Sequence, residues 1–91
     1  MMRMVYKYDL PFADVVTISL PHGAQTLHVA IQAGEPRLWV LVDPAAPLEP
    51  RHFRVAGTGH PIGSPHLRHI STFLDGGALV FHVFEILLGE P

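Results

Sequence analysis

Three of the seven histidines fall in one glycine- and proline-rich segment, residues 57–69, and they are the first candidates for chemistry. They are His60, His66 and His69. Imidazole rings that converge can bind zinc, copper or nickel, and the spacing from His66 to His69 fits one face of a helical turn. The segment has no cysteine and no carboxylate, whereas a metal site needs several convergent ligands with supporting contacts. We therefore predict polar loop histidines and no bound metal.

The run Gly57-Thr58-Gly59-His60-Pro61 is the second candidate, as a site for an anion. Backbone N–H groups exposed by two glycines can bind a phosphate. The dinucleotide fingerprint, however, needs a third glycine and a helix, and the P-loop needs a lysine; this run has none of them. We predict a turn in which glycine permits positive φ where a strand ends, and in which His60 ties the loop to the body of the domain.

Asp43, His60 and Ser64 supply the residue types of a hydrolytic triad. No Gly-x-Ser-x-Gly motif exposes a serine, and no pair of carboxylates marks an acid–base site. A sheet of 91 residues also has little volume in which to enclose a water-free pocket. We predict no catalytic residue and no cofactor. The alternative is a small metal- or anion-binding module or enzyme centred on residues 57–69.

Composition sets limits for the whole chain. Hydrophobic residues make up 48% of the 91 residues and charged residues 15%, which excludes a disordered chain and fits one folded domain over residues 1–91. The six basic residues are not clustered, so we predict no duplex nucleic acid as partner. No cysteine is present, and the most apolar stretch, residues 78–88, is too short to cross a bilayer. We predict a cytoplasmic protein with no membrane partner.

The elements that position these residues are predicted to be strands, because several pieces between glycines and prolines alternate with period two. The predicted strands are residues 5–10, 15–20, 26–33, 38–43, 51–56, 70–74 and 79–86. The alternation places Leu27 of the third strand inward. The connections include a Pro-rich loop at 44–50, the segment 57–69 and a hairpin turn at Asp75-Gly76-Gly77, and a tail follows at 87–91. The pattern predicts an all-β fold, a small antiparallel sheet curled into a sandwich or a partly open barrel of about seven short strands.

Two of these strands are apolar on both faces, so each leaves large side chains on the side away from a single core. In the fourth strand they are Trp39 and Leu41, and in the seventh they are Val80, His82 and Phe84. Either a barrel or sandwich covers both faces within the monomer, or a second chain covers them. We favour the second and predict an interaction surface at these five residues, in a symmetric homodimer or against another protein.

Four stretches of the chain belong together as a pattern. They are Tyr6-Lys7-Tyr8, Leu38-Trp39-Val40-Leu41-Val42-Asp43-Pro44, Gly57-Thr58-Gly59-His60-Pro61-Ile62 and, after Thr72-Phe73, Gly77-Ala78-Leu79-Val80-Phe81-His82-Val83-Phe84-Glu85. This pattern resembles a family of small proteins encoded by bacteriophages and prophages. The resemblance covers residues 6–85 and implies a phage or mobile-element accessory protein, without implying any site residue. We expect a non-enzymatic protein that binds a host defence component or a second copy, for example as an anti-CRISPR-like inhibitor of a bacterial defence system. A minor virion or assembly component is the alternative within this context.

Overall fold

The computed structural model describes residues 2–63 and 66–87, and these residues form seven strands and no helix. The strands are β1 (Met4–Asp9), β2 (Val15–Pro21), β3 (Gln25–Gln32), β4 (Glu35–Val42), β5 (Leu48–Gly57), β6 (Leu67–Asp75) and β7 (Leu79–Ile86). All pairs are antiparallel, in a three-stranded sheet of order β1-β4-β3 and a four-stranded sheet of order β2-β5-β7-β6. The predicted all-β fold is confirmed. No helix that could span a membrane occurs in this part of the chain.

One hydrophobic core lies between the two sheets. The inward side of β4 supplies Leu38, Val40 and Val42, none of which is more than 1% exposed. Phe53 of β5 and Val83 of β7 join them from the four-stranded sheet and are fully buried. Period-two alternation produces this arrangement, because every second side chain of a strand points to the same side. Two sheets that share one core in this way make a sandwich, and they do not close into a barrel.

The two sheets approach each other along β3 and β6, and each of these strands has a β-bulge. The N–H of Val29 donates to the hydroxyl oxygen of Ser71 at 3.2 Å, and this oxygen lies 3.3 Å from Nδ1 of His28. The bulge in β3 falls between Thr26 and His28, so Leu27 turns outward and is 43% exposed. The prediction that Leu27 points inward is wrong, because the extra residue of a bulge shifts the alternation.

Two tight hairpins use backbone with positive φ. β6 and β7 are joined through Gly76 (φ 64°) and Gly77 (φ 78°), which confirms the turn predicted at Asp75-Gly76-Gly77. β3 and β4 are joined through Ala33 (φ 53°) and Gly34 (φ 80°). Short hairpin turns need positive φ because their twist must match the twist of the strands.

The Pro-rich connection is shorter than predicted, because β5 begins at Leu48 and takes up the last residues of the predicted loop 44–50. Pro50 pairs opposite Ser19 of β2. Proline is tolerated there because this end of β5 has β2 as its one neighbour, since β7 pairs with β5 only from His52 onward. The rule that proline cannot serve a ladder therefore does not apply at this position.

Candidate functional site on the four-stranded sheet

Alternation along β7 directs Val83 into the core and turns Val80, His82 and Phe84 outward. β7 lies in the interior of the four-stranded sheet, between β5 and β6. Outward side chains of all four strands therefore form one surface, which we call the histidine face. Its main residues are Val15, Thr17, Leu48, His52, Arg54, His69, Thr72, Leu74, Val80, His82 and Phe84.

Hydroxyl groups and imidazoles form a continuous hydrogen-bonded chain across the histidine face. Nδ1 of His82 lies 3.0 Å from Oγ1 of Thr72, and Nε2 lies 2.8 Å from Oγ1 of Thr58. Oγ1 of Thr72 also lies 2.9 Å from Nε2 of His69, and Oγ1 of Thr58 lies 3.4 Å from the Val80 carbonyl oxygen, which can only accept. The donor and acceptor of every hydrogen bond in this chain can be assigned consistently. Thr58 donates to Val80 and accepts from Nε2–H of His82. Thr72 then donates to His82 and accepts from Nε2–H of His69.

Arg54 is the single charged residue among the outward side chains of β2, β5, β6 and β7. Its side chain is only 12% exposed, because the guanidinium folds back onto its own chain. It donates to the carbonyl oxygens of Val55 at 2.7 Å and Pro61 at 3.0 Å, and lies 3.3 Å from Oδ1 of Asp14. Apart from its histidines, the histidine face therefore presents almost no charge.

Apolar side chains accompany the hydroxyls and imidazoles. Leu48, Leu74 and Val15 are 69%, 61% and 55% exposed. Phe84 is half-buried and packs edge-on against the ring of His69, with ring centroids 5.4 Å apart. Each of these exposed apolar side chains gains free energy when a partner covers it, and neutral groups cost less to bury than charged ones.

Trp39 and Leu41 lie on the outer face of the three-stranded sheet, on the opposite side of the sandwich from the histidine face. Trp39 is flanked by Lys7 of β1 and by His28 of β3, whose ring centroid is 6.3 Å away. On the same face Arg37 makes ion pairs with two carboxylates. The five predicted interaction residues therefore belong to two separate surfaces.

The three histidines considered as metal ligands do not gather into one site. β6 begins at Leu67, so His69 lies in a strand, and no helical turn brings His66 and His69 to one face. His60 instead packs on Gly57, where a Cβ atom would come within 3.0 Å of the ring carbon Cε1. Within the described residues, no three His, Asp or Glu side chains are placed to hold a metal ion.

The turn after β5 borders a pocket of about 270 Å³. Phe12 and Phe81 form part of its wall, and Asp14 and Asp75 contribute two carboxylates beside His60. Asp14 is paired with Arg54, but Asp75 adds a negative charge that opposes the binding of an anion. The pocket therefore does not favour the alternative of an anion site in segment 57–69.

The turn itself has the predicted backbone. Gly59 has φ 89°, and the N–H of His60 donates to the carbonyl oxygen of Gly57 at 3.0 Å. Asp43, one of the three residues considered for a hydrolytic triad, accepts a hydrogen bond at Oδ1 from the N–H of Ala45 at 3.0 Å, as expected in a turn where a strand ends. Ser64 lies outside the described residues.

Residues 1–89 match a family described as a domain of unknown function, DUF7352. The chain belongs to the DUF7352 family. No curated protein and no solved structure matches the chain. For this DUF7352 member the arguments for function therefore come from the geometry of the described residues.

The DUF7352 chain also contains a buried ion-pair cluster that sequence reasoning missed. Glu85 of β7 is 3% exposed and points inward. Arg51 binds it through Nε and through Nη2, the latter 2.9 Å from Oε1, and Nη2 of Arg68 lies 2.7 Å from Oε1. Burial raises the pKa of Glu85, but the hydrogen bonds from Arg51 and Arg68 outweigh it and hold that pKa below its ordinary value. The hydrogen bond to Glu85 likewise raises the pKa of Arg51.

The sequence contains a signal for this cluster. Glu85 stands two residues after the buried Val83, and Arg51 two residues before the buried Phe53, so both charges occupy inward positions. Opposite charges at inward positions predict an ion pair only when their strands are known to be neighbours. β5 and β7 are not consecutive in the chain, so that knowledge comes from the structure.

Proposed function

We propose that this protein is a non-enzymatic binding module that contacts a protein partner through the histidine face. The proposal is carried by the composition of that face: hydroxyls and imidazoles already bonded to each other, exposed apolar side chains, and Arg54 as the one charged residue. Removing from water those groups whose hydrogen bonds are already made costs far less than removing carboxylates or ammonium groups. An outer sheet face suits a protein partner better than a small molecule, which needs a concave site.

The exposed apolar side chains of the histidine face supply the driving force in this proposal. Leu48, Leu74 and Val15 are between 55% and 69% exposed. Fully burying one such side chain is worth about 1.5–3 kcal/mol, and about 1.4 kcal/mol changes an affinity tenfold. A partner that covers all three must span the sheet, because Leu48 lies opposite Pro21 at one end of β5 and Leu74 lies opposite Val80 towards the other end.

The phage-type accessory role stays a prediction that rests on the resemblance of the motifs. In that role the partner is a component of a bacterial defence system, and the protein inhibits it in the host cytoplasm by occupying its surface. A minor virion or assembly role is the competing prediction, and recovery of a structural phage protein as partner would favour it.

Affinity purification from an expressing host, followed by mass spectrometry, tests the face. The baits are the wild type, Leu74→Glu and Gln25→Glu. Both substitutions add one carboxylate at an exposed strand position, the first on the histidine face and the second opposite Leu41 on the other sheet. We expect a partner that binds the wild type and Gln25→Glu and is lost with Leu74→Glu.

The same comparison distinguishes the two outer faces. If the partner is lost with Gln25→Glu and retained by Leu74→Glu, binding belongs to the face of Trp39 and Leu41. A partner retained by all three baits would exclude both outer faces. Thermal melting of each bait confirms that a loss of binding is not a loss of folding.

A further inference from the structure

β1 is a free edge strand with apolar side chains exposed on both of its sides. Met4, Val5 and Tyr6 are 47%, 54% and 39% exposed. Among the other outer strands of the described chain, β3 and β6 lie against each other, and β2 ends in Pro21. Edge strands usually avoid pairing through prolines, bulges or charged side chains, lysine above all. The segment from Met4 to Tyr6 has none of these and is open to a further strand.

One hydrogen bond fixes the direction of the backbone groups of β1. The N–H of Leu10 donates to the carbonyl oxygen of Pro36 at 3.2 Å, in continuation of the β1–β4 register. Successive residues of an antiparallel strand turn their N–H and C=O groups to alternate sides. The even-numbered residues from 4 to 8 therefore also turn these groups toward β4, and the odd-numbered residues from 3 to 9 turn them toward the free edge.

A second copy can add to this edge in antiparallel fashion only in registers that oppose odd-numbered residues. In the register centred on Tyr6, Arg3 faces Asp9 of the second copy and Val5 faces Lys7. The register centred on Val5 opposes Arg3 to Lys7, and the register centred on Lys7 opposes two lysines. Like charges directly opposite each other destabilise a strand pair. Registers centred nearer either end of β1 shorten the pairing, so charge and length select the register at Tyr6.

We propose that two copies of the chain pair through β1 in this register. The two three-stranded sheets then form one six-stranded antiparallel sheet of order β3-β4-β1-β1-β4-β3. The pairs Val5–Lys7 and Arg3–Asp9 are hydrogen-bonded, and each occurs twice because a two-fold axis relates the copies. Tyr6 of one copy lies opposite Tyr6 of the other at a non-hydrogen-bonded position. This dimer uses no residue of the histidine face, so it is independent of the function proposed above.

Single cysteines test the register directly, because the chain has no cysteine of its own. At a non-hydrogen-bonded antiparallel pair the Cα atoms lie about 4.5 Å apart, within the range of a disulfide. We expect Tyr6→Cys to form a disulfide-linked dimer on mild oxidation. Met4→Cys is the matched control on the same side of the strand, and it should not cross-link, because its two copies are offset by about 13 Å along the strands. Cross-linking of Met4→Cys as readily as Tyr6→Cys would overturn the register.

A proline variant separates pairing from folding. Val5→Pro removes an N–H that faces the free edge and leaves the ladder to β4 intact. We expect the wild type to sediment as a dimer at high micromolar concentration, and Val5→Pro to sediment as a monomer whose melting temperature matches that of the wild type at dilutions where the wild type is also monomeric. A monomeric wild type, or a dimer that survives Val5→Pro, would overturn the proposal.

Charge reversal gives an independent test. Arg3→Glu and Asp9→Lys each oppose like charges at both ends of the pairing, so each alone should dimerise about tenfold more weakly or worse. A mixture of the two variants opposes unlike charges at both ends. We expect the mixture to associate as tightly as the wild type, and failure of the mixture to associate would contradict the pairing of Arg3 with Asp9.

Discussion

Glu85 and Arg51 bind each other diagonally across β5 and β7, since the register partner of Glu85 is Phe53, two residues further along β5. The side chains of Glu85 and Arg51 are only 5% and 14% exposed. Arg68 of β6 reaches the same carboxylate at 2.7 Å. One carboxylate thus joins three strands of the four-stranded sheet and compensates two guanidinium groups.

Removing that carboxylate charge should be costly. Glu85→Gln leaves Arg51 largely buried without its hydrogen-bonded counter-ion, and we expect the free energy of unfolding to fall by about 3 kcal/mol. Urea unfolding at neutral pH measures it. The matched control is Glu35→Gln, because the exposed Glu35 carboxylate meets Arg37 at 2.8 Å and Asp9 remains beside Arg37, so this variant should lose less than about 1 kcal/mol. Equal losses would show that burial of the pair is not decisive.

Acid should weaken the fold through Glu85. Its pKa is lower in the folded chain than in the unfolded chain, so the unfolded chain takes up this proton first as the pH falls. The stabilisation is complete above the ordinary glutamate pKa of 4.5 and is lost as the pH falls through the folded-state pKa. Urea unfolding at decreasing pH should show a steeper loss for the wild type than for Glu85→Gln. Identical slopes would rule out Glu85 as the group responsible.

The hydroxyl of Thr72 should matter more than that of Thr17. Thr72→Val keeps the shape and the strand preference but removes the link between His69 and His82, and we expect a loss of about 1 kcal/mol. Thr17→Val removes one contact, 2.9 Å from Nδ1 of His52, and should cost less. Urea unfolding gives the stabilities, and ¹⁵N spectra of the imidazoles should show a change at His82 in Thr72→Val alone. Unchanged His82 nitrogens would contradict the hydrogen-bonded chain.

The hairpin between β6 and β7 should depend on glycine. Gly76 has φ 64°, where an L side chain is strained, so Gly76→Ala should lower stability by about 1 kcal/mol or more. Gly63→Ala is the control. The new Cβ atom at this position would have no neighbouring atom within 4 Å, and the φ of Gly63 lies outside the left-handed region. Thermal melting compares the two. A control as destabilised as Gly76→Ala would argue against backbone strain as the cause.

Much of the fold follows from alternation and from the positions of glycine and proline. The predicted strand 79–86 coincides with β7, and the turn before it is present, because a hairpin depends on residues that are close in the sequence. The start of β5 was missed because Pro50 is tolerated only where a neighbouring strand is absent. The bulge at Leu27 was missed because no pattern in β3 itself marks it.

The candidate site could be predicted only in part. Apolar residues on both faces of two strands identified Trp39 and Phe84 as outward side chains. That they lie on opposite sides of the molecule depends on which sheet each strand joins, and alternation says nothing about that. The hydrogen-bonded chain needs contacts such as that of Thr58 with His82, 24 residues apart, so it also emerges only from the paired sheets.

The order of the strands along the chain determines when each sheet can form during synthesis. β3 and β4 are consecutive and make a local hairpin, so they can pair as soon as Val42 has left the exit tunnel. β2 pairs with β5 and must wait for it. β5 and β6 each pair with β7, which lies between them and ends at Ile86. Pairing between distant strands is slow and leaves edges open in the meantime. The histidine face is therefore the last surface to be completed, and no partner can recognise it on a ribosome-bound chain that still holds Ile86 in the exit tunnel.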